Sequence, residues 1–235
     1  ALDLKYPTKV EASSSQFNTV SPPEAEIVRY TFPKRKNRPK VAMPEVKVHW
    51  YDGGLLPDRP PELPEGEIMG RDGGGGVLFV GSKAKLMCGV YARNPFLLPL
   101  DYDKEYKRPE PSLRRVPDGA GGHEMDWVRA CKESPGNRTM PSSSFDYAGP
   151  LNEMVVMGVV AVRLQSLRRE LHWDGKNMEF TNINDDDELR VVESDDFRIV
   201  QGDPRFDTKH TKFNAKKTAK EYIKHNYRKG WELDL

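Results

Sequence analysis

The chain has 235 residues, enough for one large domain or two small ones, with 37% hydrophobic and 31% charged residues, the balance of a globular protein with a very polar surface. Its 37 Lys and Arg against 36 Asp and Glu leave a net charge of +1, which excludes a whole-molecule electrostatic attraction to nucleic acid or to an anionic membrane. No apolar run approaches the roughly 20 residues of a membrane helix, and two cysteines are too few for a disulfide framework or a four-ligand zinc site.

Taken in chain order, Ala1, Leu2 and Leu4 read as the tail of a helix. The start has no basic n-region and no signal-type apolar core, so we expect a fragment or a processed form. Strands are predicted at Lys9–Ser13, Glu26–Phe32 and Val46–Asp52. In the last of these Val46, Val48 and Trp50 share one face, with Lys47, His49 and Tyr51 on the other. Residues 53–74 carry four prolines and no periodicity, which reads as a binding arm, a lid or a disordered segment.

Gly73 to Gly76 invite comparison with a phosphate-binding loop. The order of elements excludes it, because a dinucleotide fingerprint needs strand, glycine turn and helix in that sequence. Here the glycines precede the strand-like Val77–Val80, and Gly81-Ser82-Lys83 leads to a second strand-like run, Leu86 to Tyr91. That is a β-hairpin. Both of its faces are apolar, so it should be covered on both sides, by helices of this chain and by a partner subunit. Residues 92–120 form a second proline-bearing loop.

Helices are predicted over Gly122–Lys132 and, most strongly, over Leu151–Leu164 with Pro150 at the first helical position and Glu153 facing the helix dipole. The second is apolar nearly all round and is expected to be the buried core helix. Between it and the end, "LRRELHWDGKNMEFTN" reads as a strand closed by an Asp174-Gly175 turn. A last helix runs from Asn214, its N-cap, to His225 along a stripe of Ala215, Ala219, Tyr222 and Ile223. The acidic "NDDDELRVVESDD" and the basic "RFDTKHTKFNAKKTAKEYIKHNYRK" are segregated, and the basic stretch is either a site for an anionic partner or, the reading we favour, a solvated lysine face on an amphipathic helix. Cys88 on a strand and Cys131 on a helix are expected as buried thiols.

Several phrases occur in one order: "VKVHWYDGGLLPDRPPELPEG", "GGVLFVGSKAKLMCGVYARNPFLLP", "FDYAGPLNEMVVMGVVAVRLQ", "LHWDGKNMEFTN" and "YRKGWEL". Together they resemble the C-terminal domain of the glucose–fructose oxidoreductase and inositol dehydrogenase-like (Gfo/Idh/MocA) family, in its bacterial sugar-metabolism branch, from about Lys9 onward. The resemblance implies an α+β fold with an open, mostly antiparallel sheet, helices packed on one face and the other face available for oligomer contacts. It implies one domain over residues 1–235, with NAD or NADP held by an N-terminal Rossmann domain that this chain lacks. The family's Glu-Lys-Pro-like catalytic motif has no counterpart here, and the Gly-Cys-His…Asp-Pro stretch of this branch would precede Ala1. We therefore expect no catalytic residue, no bound cofactor and no metal in this chain.

The function implied is substrate binding and oligomerisation for an NAD(P)-dependent oxidoreductase acting on a sugar, cyclitol or glycoside. The alternatives are the same domain in an NAD-dependent glycosidase, or a stand-alone assembly or sugar-binding module. The expected partners are a sugar-type molecule and further copies of the chain, as a dimer or tetramer through the open sheet face. Cytoplasm and periplasm are equally open.

Five residues are candidates to line a substrate cleft. Asp52 either does so or stabilises the turn before Gly53-Gly54. Arg59 either reaches a sugar hydroxyl or carboxylate or is a surface arginine. His123 and Asp126 lie one turn apart, a spacing suited to acid–base work, with no third ligand for a metal. Trp127 is either core or a platform for a pyranose ring. His49, Tyr51, Met87 and Tyr91 are the candidates for the oligomer interface, and His172, His210 and His225 belong to no constellation.

Overall fold

The computed structural model describes residues 2–18, 20–37, 42–70, 75–111, 113–224 and 226–232. Its strands and helices in chain order are β1 (Lys9–Ser14), β2 (Glu26–Phe32), β3 (Val46–Asp52), β4 (Gly76–Val80), β5 (Lys85–Gly89), β6 (Phe96–Leu98), α1 (Leu100–Glu105), α2 (Gly119–Lys132), α3 (Phe145–Leu164), β7 (Leu171–Asp174), β8 (Glu179–Phe180), β9 (Glu188–Val200), β10 (Asp203–Asn214) and α4 (Ala215–Ile223). Every strand pair is antiparallel, so the fold is α+β with open antiparallel sheets. The chain packs as two compact units, residues 57–115 and the flanking segments 1–56 and 116–235 together.

In the larger unit the sheet order is β3-β2-β1-β7-β8. Alternation sets its two faces. Val10, Val28, Tyr30 and Phe32 are buried on the side that receives α3, while Glu11, Arg29 and His49 stand in register on the other. That outer face is open and polar. α3 can approach because Gly158 lies over Tyr30, and a Cβ there would stand 2.2 Å from the Tyr30 hydroxyl oxygen. Burial pushes the Tyr30 phenol up to about 12, with a smaller contribution from Glu26.

α3 begins earlier than expected, at Phe145 with Ser144 as N-cap, so Pro150 falls inside it. Nor is it buried all round. Met157, Val160, Ala161 and Leu164 face the core, whereas Leu151, Val155 and Val159 form a solvent-facing stripe at i, i+4, i+8. Leu2–Lys5 is irregular rather than helical, with positive φ at Asp3 and Lys5, and Leu4 packs against the core. Ala1 and His225 lie outside the described residues. Cys131 is exposed and only Cys88 is buried, correcting the expectation for the former.

β9 and β10 form a separate two-stranded arm, joined by Gln201-Gly202. Both turn residues have positive φ, 53° and 89°, as a two-residue type I′ hairpin requires. The basic stretch is therefore half strand and half helix, since Arg205–Phe213 lies in β10 and only α4 is helical. α4 is capped by the Asn214 side chain, which accepts from Lys217 N at 2.8 Å and donates to the Asp185 carbonyl at 2.7 Å.

The smaller unit is the sheet β4-β5-β6 with α1, the last strand and the helix arising inside the second predicted loop. Val90–Ala92 is a 3-10 turn with Tyr91 at φ 59°, so β5 ends at Gly89 and Tyr91 is not a strand residue. The unit's core is Leu63, Met87, Phe96 and Leu98, joined by Met69, Leu78 and Leu100. Met87, an expected interface residue, is thus internal. The proline-rich segment covers this core on one side. Lys85 ion-pairs with Glu62, and Arg59 donates to the carbonyls of Leu63 at 3.4 Å and Pro64 at 2.6 Å.

Candidate functional site

A groove of about 400 Å³ lies in the larger unit, walled by α3, β7, β8 and α4. Its floor is aromatic. Trp173 and Phe180 stand opposite each other in the β7–β8 register, with ring centroids 4.9 Å apart and tilted by 59°, and Tyr222 of α4 adds a third ring at the rim. Met157, Val156 and Met178 supply aliphatic walls, and Asn152 and Glu153 put an amide and a carboxylate at the mouth.

Each part is held by local chemistry. Trp173 is fixed from the β1 side by its backbone N–H, which donates to the Thr8 carbonyl at 2.8 Å. From the α3 side Glu153 Oε1 accepts its indole N–H at 2.7 Å. The turn beyond is an Asx turn: Asp174 Oδ1 accepts from Lys176 N and Asn177 N at 2.9 and 3.2 Å, and Oδ2 accepts from Asn177 Nδ2 at 2.8 Å. The Asn177 side-chain bond leads in holding the Asp174 carboxyl below its usual range. Gly175 is closely packed here: a Cβ would meet the Tyr6 ring at 2.8 Å and Glu153 Oε1 at 3.2 Å, so a side chain at 175 would displace one of them.

An apolar, ring-lined floor with one amide and one carboxylate at its edge suits a flat or puckered ring that carries hydroxyls. The C–H face stacks, and the rim hydrogen-bonds the oxygens. Among the described residues Glu153 is the one carboxylate that lines the groove, and they place no second one beside it of the kind used in double-displacement glycoside hydrolysis. Among the described residues no group of three or more His, Cys, Asp or Glu is placed to hold a metal.

None of the five sequence-derived cleft residues lines this groove. Asp52 sits at the end of β3 and its Oδ1 accepts from Gly53 N at 2.7 Å, the turn-stabilising arrangement. Arg59 is engaged with carbonyls of its own loop in the smaller unit. His123, Asp126 and Trp127 do come together on α2. Asp126 is 6% exposed, receives Arg129 at 2.9 Å, and accepts the Ser142 backbone N–H at 3.0 Å. His123 Nδ1 lies 3.0 Å from Ser142 Oγ, and Trp127 is half exposed one turn along. Glu133, held below its usual range chiefly by Arg129, accepts from Thr139 N at 2.8 Å. This network fastens the 133–142 loop to α2, and Asp126 acts in it as a positioning residue. His49 and Tyr51 share the outer sheet face with ring centroids 6.4 Å apart, and Tyr91 is 87% exposed.

In the sequence the groove residues carry other signals. Glu153 suits the helix dipole, although a carboxylate within an otherwise apolar helix is itself a signal. Trp173 and Tyr222 fit a strand and an apolar helix stripe, and only tertiary contact brings them to one place. No protein-family model matches the chain, and no curated protein matches it.

Proposed function

We propose that this chain is the substrate-binding and oligomerisation domain of an NAD(P)-dependent oxidoreductase acting on a sugar, cyclitol or glycoside, with the Glu153–Trp173 groove as its sugar-binding surface. The observation that carries the reading is that groove: three aromatic rings under a carboxylate and an amide, in about 400 Å³. The ordered motifs from "VKVHWYDGG" to "YRKGWEL" support the family assignment.

In this reading Trp173 and Phe180 take the C–H face of the ring. Glu153 Oε1 is occupied by the indole N–H, which leaves Oε2 to accept from a substrate hydroxyl, and the Asn152 amide both donates and accepts. The described residues do not fit a dinucleotide. Gly75 leads into β4 and Gly76 is its first residue, with no helix following at once, and a Cβ at Gly76 would lie 2.4 Å from the Cys88 carbonyl oxygen, so that glycine serves strand packing. In this reading hydride transfer belongs to the cofactor-binding domain implied by the resemblance, and no described residue is given a part in it. The outer sheet face, where His49 and Tyr51 stand, is one surface open to self-association.

The test is ligand-observed NMR of the full chain against a panel of pyranoses and cyclitols. Saturation transfer at millimolar ligand is expected, and Val156→Trp, a substitution at a half-exposed groove position, should abolish it by filling the groove. Transfer to no compound in the panel, or transfer unchanged in Val156→Trp, would refute the assignment.

A further inference from the structure

We propose that the β9–β10 arm is a docking device for a second copy of this chain, with the two β9 edges pairing antiparallel about a two-fold axis between the two Phe197 residues. The inference deepens the oligomerisation part of the reading above and rests on it only in that the chain self-associates. It is independent of the sugar groove.

The arm has two unlike faces. Register puts Phe197 and Ile199 of β9 on one of them, together with Phe206 and Pro204 of β10. A bulge at Lys209/His210 shifts the ladder, so Leu189 and Val191, which pair with Phe213 and Thr211 and are buried at the root, belong to the opposite face. Toward the tip Phe197, Ile199 and Phe206 are 60%, 67% and 73% exposed, an apolar patch left bare on a ribbon two strands wide. Such ribbons are marginal in water unless another surface covers them.

The charged face says what that surface is. Asp196 stands opposite Asp207, and Arg198 opposite Arg205. Like charges set directly across a ladder are unfavourable, and within the chain the relief is a diagonal Arg198–Asp207 contact at 3.5 Å between exposed side chains, a weak interaction. The acidic row lies two residues from the basic row. A two-fold axis at Phe197 places Asp196 of each copy opposite Arg198 of the other, so the pattern is self-complementary.

Backbone geometry selects β9 over β10. In a two-residue hairpin of this type the closing pair, Val200 and Asp203, is hydrogen-bonded, and alternate pairs are not. Asp195, Phe197 and Ile199 therefore turn their N–H and C=O groups away from β10. The Phe197–Phe206 ring centroids, 5.2 Å apart, agree with a close, non-hydrogen-bonded pair. β10's outward set includes Pro204, which has no N–H to give. β9 has no proline, and among the described residues it has no strand partner on that side. Joining two β9 edges makes a four-stranded sheet with a row of four phenylalanines on one face and two Asp–Arg pairs on the other.

The test is sedimentation equilibrium of the full chain with paired charge reversals. Wild type is expected to be a dimer at micromolar concentration. Asp196→Arg alone and Arg198→Glu alone should each weaken it by about tenfold or more, because each sets like charges across the axis. Mixing the two variants should restore the dimer, since every cross-axis pair is then opposite in sign. Both positions are exposed near the arm's tip, and unchanged far-UV circular dichroism checks the fold. A monomeric wild type overturns the proposal together with the oligomerisation reading, and gives the arm to another protein. An oligomer indifferent to both reversals overturns the arm alone and leaves the sheet face. Variants that dissociate but fail to rescue each other overturn the register.

Discussion

Gly158→Ala tests how α3 is seated. The added methyl would lie 2.2 Å from the Tyr30 hydroxyl oxygen, with the Tyr30 Cζ next at 3.4 Å and Val28 Cγ1 at 3.7 Å. Tyr30 is 6% exposed in the core, so its ring cannot swing aside, and overpacking of this kind costs roughly 3 kcal/mol at the upper end of its range. Alanine recovers about 1 kcal/mol of helix propensity over glycine. The net expectation is a loss of about 2 kcal/mol. In a Tyr30→Phe background the nearest contact relaxes to ordinary van der Waals distance, and Gly158→Ala should become stabilising by about 1 kcal/mol. The coupling between the two sites is then about 3 kcal/mol, which urea denaturation of the four proteins in a double-mutant cycle measures, with amide exchange of α3 reporting on the larger unit. A coupling below about 0.5 kcal/mol would show that Gly158 is not kept small by the Tyr30 hydroxyl, and the account of the helix–sheet contact would fail.

Other outcomes follow from the same geometry. Burial raises the Glu26 carboxyl above its ordinary 4.5, and Asp52, directly across the ladder, adds to the shift. A raised folded value favours folding below the ordinary value and is lost as pH rises through the folded one. Glu26→Gln should therefore match wild type at about pH 4 and be more resistant to urea at about pH 8. A variant weaker than wild type at the higher pH would contradict this. Lys85 holds the Glu62 carboxyl below its ordinary 4.5, the hydrogen bond being the leading cause. Lys85→Gln should speed proteolysis within residues 57–70 at neutral pH, and acid below the depressed value should bring wild type to the same rate. Equal rates at neutral pH would sever the ion pair from the loop. Asn214→Ala removes the α4 cap and should cost about 1 kcal/mol. Because α4 carries Tyr222 into the groove, sugar binding should weaken without loss of any direct contact by Asn214, and NMR titration reads both effects.

Legibility in the sequence followed the range of the interaction responsible. β2 and β3 are found where alternation puts them, because period two over seven residues is decided locally. The start of α3 is hard to read because Pro150 resembles a first helical residue, while the helix begins at Phe145 after Ser144, whose carbonyl, not its side chain, takes the first bonds. β9 and β10 were hidden by charge. Acidic and basic runs drew attention from alternation, although Gln201-Gly202 between them is the two-residue turn that announces a hairpin. The site was less legible than the fold. Asp126 and Arg59 were singled out for side-chain type, and both meet partners that spacing cannot supply: the Ser142 N–H 16 residues on, and carbonyls of the same loop. Glu153 and Trp173 are 20 residues apart on elements of different kind.

The chain order of the larger unit also sets a schedule for its synthesis. β1, β2 and β3 are complete by Asp52, but α3, which covers Val10, Val28, Tyr30 and Phe32, ends at Leu164, and the sheet's next strand begins at Leu171. Residues 57–115 form their own compact unit in between. At about 5–20 residues per second, the ribosome exposes a three-stranded meander with an uncovered apolar face for on the order of ten seconds before the helix that buries it is made. The nascent chain is then most in need of a chaperone, and the inserted unit sets how long that interval lasts.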